Sequence, residues 1–119
     1  MDGVLYNISV WNVVTAYDAR NGKVLWRFDP KVERQWARLA CCGPTSRGIA
    51  MWKGKLYIGA LDGRLIAVDA RTGADVWSTQ VLDYKTGVHQ TSGPIVADGK
   101  VFSGRGCEPI ATANPHDCV

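Results

Sequence analysis

The chain has 119 residues, of which 46% are hydrophobic and 21% charged, and its formal net charge is +3. A chain of this length can bury a core as one domain, and this composition excludes a disordered segment, a collagen and a coiled coil. No apolar run approaches the ~20 residues of a membrane helix. The start of the chain lacks a signal-peptide pattern, which a fragment or a mature chain would also lack. The basic residues do not form the cluster that nucleic-acid binding requires.

The chain begins with a unit that recurs further along. A segment ending in tryptophan, residues 16–26, recurs at residues 67–77, which is 51 positions later. The match extends upstream without a gap. A third copy begins at residue 93 and follows the pattern of residues 48–59. An internal repeat of this length is typical of folds in which similar units pack side by side.

Each unit predicts short strands joined by turns. The link after the first unit, residues 30–39, predicts at most a turn or two of helix. Glycine accepts a positive φ, so Lys53-Gly54 and Asp62-Gly63 predict two-residue hairpin turns. The complete second unit predicts four strands, at residues 48–52, 55–60, 64–69 and 75–80.

Four-stranded antiparallel units at this spacing are typical of a β-propeller. We therefore predict an all-β fold, a partial β-propeller of about two and a half blades. Residues 1–28 would end one blade, residues 48–80 would form a complete blade, and residues 93–119 would start another. Since propellers have about 4–8 blades, we expect a segment of a longer protein, with self-assembly of several copies into a ring as the alternative.

The repeated tryptophans have a structural interpretation. Trp26 and Trp77 end equivalent segments of successive units. A ring at that position can fill the wedge between neighbouring sheets and bury on the order of 150–250 Å². The preceding turn opens with an aspartate and contains a glycine suited to left-handed backbone, as Asp18 and Gly22 in the first unit and Asp69 and Gly73 in the second.

Two adjacent cysteines, Cys41 and Cys42, lie between the first and second units. Adjacent Cα atoms are about 3.8 Å apart, below the usual disulfide range of roughly 4.4–6.8 Å. A disulfide between them would close a strained ring that is easily reduced and would therefore be a poor structural cross-link. The ring would, however, present a rigid, flat surface. Two free thiols and metal ligation are the alternatives, and the second is disfavoured because His89 and His116 are distant in sequence.

Together these features resemble the pyrroloquinoline quinone (PQQ)-dependent alcohol dehydrogenases, including the methanol and ethanol dehydrogenases. That family has an eight-bladed propeller with a tryptophan-docking motif similar to residues 16–26 and 67–77. It also has a vicinal cysteine pair followed by an arginine, as in residues 41–47 here, and residues 36–40 fit the approach to the pair. The resemblance covers essentially the whole chain.

The resemblance implies a quinone-binding role for four residues. A Cys41–Cys42 ring would stack on one face of the planar cofactor. Arg47 would pair with a cofactor carboxylate or the quinone oxygens, which suit its planar guanidinium. Thr91 lies in a Thr-x-small-Pro stretch of the family and would hydrogen-bond a cofactor carboxylate. The alternatives without a role in cofactor binding are a surface arginine for Arg47 and a strand-edge threonine for Thr91.

The next stretch departs from the methanol dehydrogenase pattern. Gly106 stands where a serine is expected, so that contact with the cofactor is missing or made by the backbone. Glu108 is the nearest carboxylate for the calcium or lanthanide ion that the family implies, and an exposed loop glutamate is the alternative. Cys107 and Cys118 bracket a short loop, as a cysteine pair does in some relatives, which suggests a second disulfide.

The family oxidises a primary alcohol to an aldehyde while PQQ is reduced. The catalytic aspartate and the tryptophan over the second cofactor face belong to later blades, so we expect no catalytic residue and no turnover by this segment alone. The expected partners are a small alcohol, an electron acceptor such as a cytochrome c and the remainder of the propeller, with no nucleic acid. Any membrane association would belong to the parent only.

The even number of cysteines suits an oxidising compartment, although four cysteines would also suit a reduced cytosolic protein. We expect a periplasmic location. The rival interpretation is a non-catalytic PQQ-like propeller that acts as a scaffold for protein partners. Such a scaffold would share the repeats but would have no use for Cys41, Cys42 and Arg47. A small self-assembling propeller lectin is a third possibility.

Overall fold

The computed structural model describes residues 2–39, 43–86 and 88–107. The described residues form strands and short 3₁₀ helices, with no α-helix among them. The helices are Val10–Asn12, Arg34–Leu39 and Tyr84–Thr86. The strands in chain order are β1 Val4–Ile8, β2 Val14–Asp18, β3 Val24–Phe28, β4 Ala50–Trp52, β5 Lys55–Gly59, β6 Arg64–Asp69, β7 Asp75–Gln80, β8 Val88–His89, β9 Ile95–Ala97, β10 Lys100–Phe102 and β11 Gly106–Cys107.

Two antiparallel sheets account for most of the structure. The first sheet has the order β1-β2-β3 and the second has the order β4-β5-β6-β7, and two short pairs, β9-β10 and β8-β11, follow. The register of the first sheet shifts between Ala16 and Tyr17, and that of the second shifts between Ala67 and Val68. The repeat in sequence is therefore a repeat in strand pairing, and the all-β propeller-type prediction is confirmed.

The hairpin turns follow local backbone preferences. Lys53 and Gly54 both have positive φ, 46° and 73°, as a two-residue turn of the primed type requires. The turn at Asp62-Gly63 is longer than predicted, because Gly63 donates to the carbonyl of Ala60, and Ala60 in turn bonds to Arg64. Only Gly63 of that dipeptide has positive φ. The Asp62 carboxylate accepts hydrogen bonds from the backbone amide and the guanidinium of Arg64.

Trp26 docks the first sheet onto the second. Its indole Nε1 donates to the carbonyl oxygen of Ala70 at 3.2 Å, and the hydroxyl of Tyr6 donates to the same oxygen at 2.9 Å. The indole also lies over Gly73, where a Cβ would come within 2.6 Å of the ring. The predicted role of Trp26 between neighbouring sheets is therefore confirmed.

The apolar core lies between the two sheets. The strands β2, β5 and β6 contribute side chains with no exposed surface, and the partly buried rings of the first sheet pack against them. Such side chains are those of Val14, Leu56, Ile58, Ile66 and Val68. Within the described ranges, no helix is long and apolar enough to cross a bilayer.

Candidate functional site

The candidate site is built on the segment of residues 43–47, which directly follows the cysteine pair. Cys41, Cys42, Glu108 and Cys118 lie outside the described residues, so their predicted roles remain predictions. The segment begins with a tight turn in which Thr45 donates its amide to the carbonyl of Gly43 at 2.8 Å. It leads into β4 of the second sheet.

Arg47 and Thr91 lie in contact, although 44 positions separate them in the sequence. The amide of Arg47 donates to the carbonyl oxygen of Thr91 at 3.0 Å. In addition, Nη1 of the guanidinium donates to Oγ1 of Thr91. The threonine is buried, whereas the arginine is exposed. The structure therefore brings together the two described residues that the sequence singled out for cofactor binding.

A close approach of two backbones supports this contact. Gly48 follows Arg47, and Gly93 lies two residues after Thr91. A Cβ on Gly93 would stand 2.9 Å from the Cα of Gly48, closer than real Cβ contacts occur. Glycine at position 93 therefore lets the second and third units meet beside the Arg47–Thr91 pair.

The first unit holds the same segment from the other side. The amide of Trp11 donates to the carbonyl oxygen of Pro44 at 3.0 Å. The side chain of Asn12 donates from Nδ2 to Oγ of Ser46 at 3.2 Å. The segment that carries Arg47 is therefore bound to the first unit near its start and to Thr91 at its end.

Asn12 was not predicted as a site residue, although the repeat contains a signal for it. In the 51-residue repeat, Asn12 aligns with Gly63. Both residues have positive φ, 59° and 82°. Asparagine is one of the few residues other than glycine that tolerate this conformation. An asparagine in the place of a turn glycine could therefore have been predicted to combine a left-handed backbone with a specific side-chain role.

Two further buried polar side chains, those of His89 and Gln90, precede Thr91. Gln90 is fully buried and donates from Nε2 to Oγ of Ser103. Its side chain fills the space where Gly59 has no Cβ. This packing was not predicted, because no local sequence pattern connects Gln90 with Gly59.

The structure gives a physical reason for glycine at position 106. His89 pairs with Gly106 across β8 and β11, and a Cβ on Gly106 would stand 2.7 Å from Nε2 of the imidazole. The buried imidazole therefore occupies the room that a serine side chain would need. A serine at position 106 would therefore conflict sterically with the histidine opposite.

The chemistry of the described site is that of a hydrogen-bond donor for an anion. The hydroxyl of Thr91 accepts from Arg47, so its own proton is directed to another acceptor, and the guanidinium has further N–H groups. Among the described residues, no three His, Cys, Asp or Glu side chains cluster as metal ligands would. The described part of the site therefore presents hydrogen-bond donors of the kind that a carboxylate accepts from.

Comparison with known proteins gives a consistent result. The family profile described as the β-propeller domain of PQQ glucose/ethanol/alcohol dehydrogenases matches residues 1–108. Quinohemoprotein alcohol dehydrogenase ADH IIB of Pseudomonas putida is 49% identical over 105 residues, which are 88% of this chain and 15% of the relative. The 1-butanol dehydrogenase (cytochrome c) of Thauera butanivorans is 47% identical over 107 residues, 89% of this chain and 16% of the relative.

A solved structure is similar over the same region. The crystal structure of quinohemoprotein alcohol dehydrogenase from Comamonas testosteroni superimposes with a TM-score of 0.85 and 44% sequence identity. The match covers 89% of this chain and 16% of that chain. The chain therefore spans about one sixth of the length of the relatives that it matches.

Proposed function

The chain belongs to the family of PQQ-dependent glucose, ethanol and alcohol dehydrogenases, as its motifs predicted, and on this premise we propose that it supplies part of a quinone-binding site. The complete enzyme would oxidise a primary alcohol to an aldehyde. Because the chain spans only about 15% of its relatives, this activity is assigned to the whole propeller and not to these residues alone.

One observation carries the proposal, the contact between Arg47 and Thr91, in which Arg47 follows Cys42 by five positions in the sequence. A guanidinium and a hydroxyl that both present donors suit a planar cofactor with carboxylates, because charge-assisted hydrogen bonds to carboxylates are short and strong. The pairing of Arg47 with Thr91 limits the motion of the guanidinium before any ligand binds. The described residues thus fit one edge of PQQ.

When bound, PQQ accepts the two electrons that the alcohol loses. The residues of this chain bind and orient that cofactor. Arg47 and Thr91 would hold its carboxylates, and the ring of Cys41 and Cys42 would support one face. No residue of this chain is assigned as the catalytic base.

The metal ion is a separate part of the proposal. Glu108 is proposed as a ligand of calcium or a lanthanide, since hard cations prefer carboxylate oxygens. No step of the reaction is assigned to it here.

The partners follow from the same family. We infer a small primary alcohol as substrate and a cytochrome c as electron acceptor, in line with the name of the Thauera butanivorans relative, 1-butanol dehydrogenase (cytochrome c). The remainder of the propeller would cover the open faces of this segment. A periplasmic location suits the proposed Cys41–Cys42 disulfide, and any membrane association would involve other parts of the enzyme.

Titration with PQQ tests the proposal in the complete gene product that contains these residues. Arg47→Gln should raise the Kd for PQQ roughly 10- to 100-fold, because a charge-assisted hydrogen bond is lost. Thr91→Val should raise it less, by roughly fivefold, since the threonine hydroxyl itself carries no charge. Arg20→Gln is the matched control, because Arg20 is an exposed arginine that pairs only locally with Asp18. Equal affinities in all four proteins would contradict the proposal.

The scaffold alternative makes a different prediction about the cysteines. Non-reducing digestion and mass spectrometry should find Cys41 and Cys42 linked to each other if they support a quinone. Free thiols at both positions would favour the scaffold. The 119-residue chain alone should not reduce a dye when PQQ, calcium and ethanol are added, and dye reduction would show that our assignment of the catalytic groups to other blades is wrong.

A further inference from the structure

We propose that Asn12 is a positioning residue for the quinone site, which acts by holding residues 43–47 and therefore Arg47 in place. This inference rests on the proposed function but concerns a residue of the preceding unit, outside the cofactor-binding set. Asn12 lies between β1 and β2, in the short helix Val10–Asn12.

Asn12 uses its whole side-chain amide. It is 1% exposed. Nδ2 donates to Oγ of Ser46 at 3.2 Å and to the carbonyl oxygen of Gly59 at 3.0 Å. Oδ1 accepts from the amide of Leu61 at 2.8 Å. Both donors and the acceptor are therefore occupied, and a single amide connects three separate parts of the chain.

The three partners have different roles. Gly59 ends β5 and Leu61 lies in the turn that leads to β6, so their bonds to Asn12 fix the amide relative to the second sheet. Ser46 belongs to the segment that ends in Arg47. The bond to Ser46 therefore transmits the position of the second sheet to the arginine, one residue away.

The neighbouring residue makes a parallel contact. The amide of Trp11 donates to the carbonyl oxygen of Pro44. Trp11 and Asn12 both have positive φ, 64° and 59°, and this local backbone directs two successive residues to the same segment. The first unit thus holds residues 44 and 46, which lie immediately before Arg47 in the chain. Arg47 in turn contacts Thr91.

The side chain needs both a donor and an acceptor on one planar group, which only an amide provides in this space. In Asn12→Asp, a carboxylate oxygen would replace Nδ2 and face the carbonyl oxygen of Gly59. Two buried oxygens would then face each other with no hydrogen atom between them, which is unfavourable. In Asn12→Ala, the amide of Leu61 and the carbonyl of Gly59 would both lose their partner.

A structural role alone can be separated from a positioning role. Ser46→Ala removes only the hydrogen bond between Asn12 and residues 43–47. The bonds of Asn12 to Gly59 and Leu61 stay in place. Tyr6→Phe is the matched control, because it also removes one hydrogen bond between the first two units, to Ala70. Ala70 follows the far end of β6, about 17–20 Å along the strand from the Asn12 contacts.

The experiment uses the complete gene product and compares Ser46→Ala, Asn12→Ala and Tyr6→Phe with the wild type. Three quantities are measured: the Kd for PQQ in the presence of calcium, the hydrogen-exchange rate of the Arg47 amide, and the Tm. We expect Ser46→Ala and Asn12→Ala to raise the Kd roughly tenfold, as loss of an orienting partner commonly does, and to accelerate exchange at Arg47. Tyr6→Phe should lower the Tm without either change.

Two results would overturn the inference. In the first, the wild type binds PQQ and Ser46→Ala changes neither the Kd nor the exchange at Arg47. In the second, Tyr6→Phe raises the Kd as much as Ser46→Ala, which would indicate a general loss of stability. If the wild type does not bind PQQ, the proposed function fails and so does the effect on affinity, while exchange at Arg47 still decides whether Asn12 holds the segment.

Discussion

At the scale of single residues, two glycines in equivalent turns illustrate two different constraints. Gly22 and Gly73 have nearly the same φ, 74° and 75°, and each donates its amide to the carbonyl of the aspartate that opens the turn. Gly22 has open space where a Cβ would be placed, whereas Gly73 lies against the Trp26 ring. The backbone requirement is shared, and the packing requirement belongs to Gly73 alone.

Substituting both glycines separates the two effects. Gly22→Ala should lower the free energy of unfolding by about 1–2 kcal/mol, which is the cost of left-handed backbone for alanine. Gly73→Ala should lower it by about 2–5 kcal/mol, because its methyl group also displaces the indole. Urea unfolding of the two variants measures the difference. Equal losses would show that the ring does not depend on the absent Cβ.

The aspartates of these turns respond to acid. The hydrogen bond from the Arg20 side chain, together with the Arg20 amide, lowers the pKa of Asp18 from 3.8 to about 2. Hydrogen bonds from the backbone amides of Arg71 and Thr72 lower the pKa of Asp69. A lowered pKa in the folded state means that the unfolded chain takes up the proton first as pH falls.

The contribution of Asp18 to stability should therefore be complete above about pH 4 and should be lost as the pH falls towards 2. Asp18→Asn should remove this part of the pH dependence. Arg20→Gln should move the pKa of Asp18 upwards and leave that of Asp69 unchanged, because Asp69 depends on other donors. Carboxyl NMR titration checks both, and an unchanged pKa of Asp18 in Arg20→Gln would contradict the assigned cause.

At the scale of strands, equivalent positions of the repeat have different environments. Leu5 on β1 and Leu56 on β5 are 51 residues apart and occupy the same place in their units. Leu5 is 59% exposed, whereas Leu56 is fully buried. Since side chains alternate along a strand and Tyr6 contacts the second sheet, Leu5 points away from that sheet. Burial thus depends on which neighbouring sheet is present.

Matched truncations test this difference. Leu56→Ala should lower the free energy of unfolding by about 2–5 kcal/mol, because it leaves a cavity between the two sheets. Leu5→Ala should change it by no more than about 0.5 kcal/mol, as is usual for exposed sites. Chemical denaturation of both variants gives the comparison. Similar losses at the two sites would indicate that the outer face of the first sheet is covered in solution.

At the scale of the molecule, the described structure has apolar faces on both sides. Leu5 and Val24 lie on the outer side of the first sheet and are 59% and 60% exposed, and Tyr17 pairs with both. The Trp77 ring on β7 contacts Tyr57 of its own sheet and remains 38% exposed, and its place between neighbouring sheets remains a prediction. Contiguous apolar faces of this kind mark interaction sites.

The isolated chain should therefore self-associate through the outer face of the first sheet. The double variant Leu5→Lys, Val24→Lys should shift the population towards monomer, because two charges would oppose burial. Lys23→Glu is the control, since it changes charge in the adjacent turn without altering the face. Sedimentation velocity at several concentrations reports the populations. Unchanged association in the double variant would place the contact elsewhere.

Much of the fold was predictable because its determinants are local. Strand alternation, hairpin turns and the tryptophan repeat are patterns of consecutive residues, and the predicted strand at residues 75–80 matches β7, Asp75–Gln80. Gly22 and Gly73 have the left-handed backbone that their sequence context indicated. The division into blades and the roles of Cys41, Cys42 and Glu108 remain predictions.

Family resemblance was needed for Arg47 and Thr91, because no local pattern connects residues 44 positions apart. For Asn12, even that was insufficient. Its amide joins Ser46, Gly59 and Leu61, which are 34 to 49 positions away. The sequence by itself determined the strands, their turns and the repeat, since these depend on neighbouring residues. Only the tertiary structure decided which residues hold Arg47, because that depends on how the sheets are placed against each other.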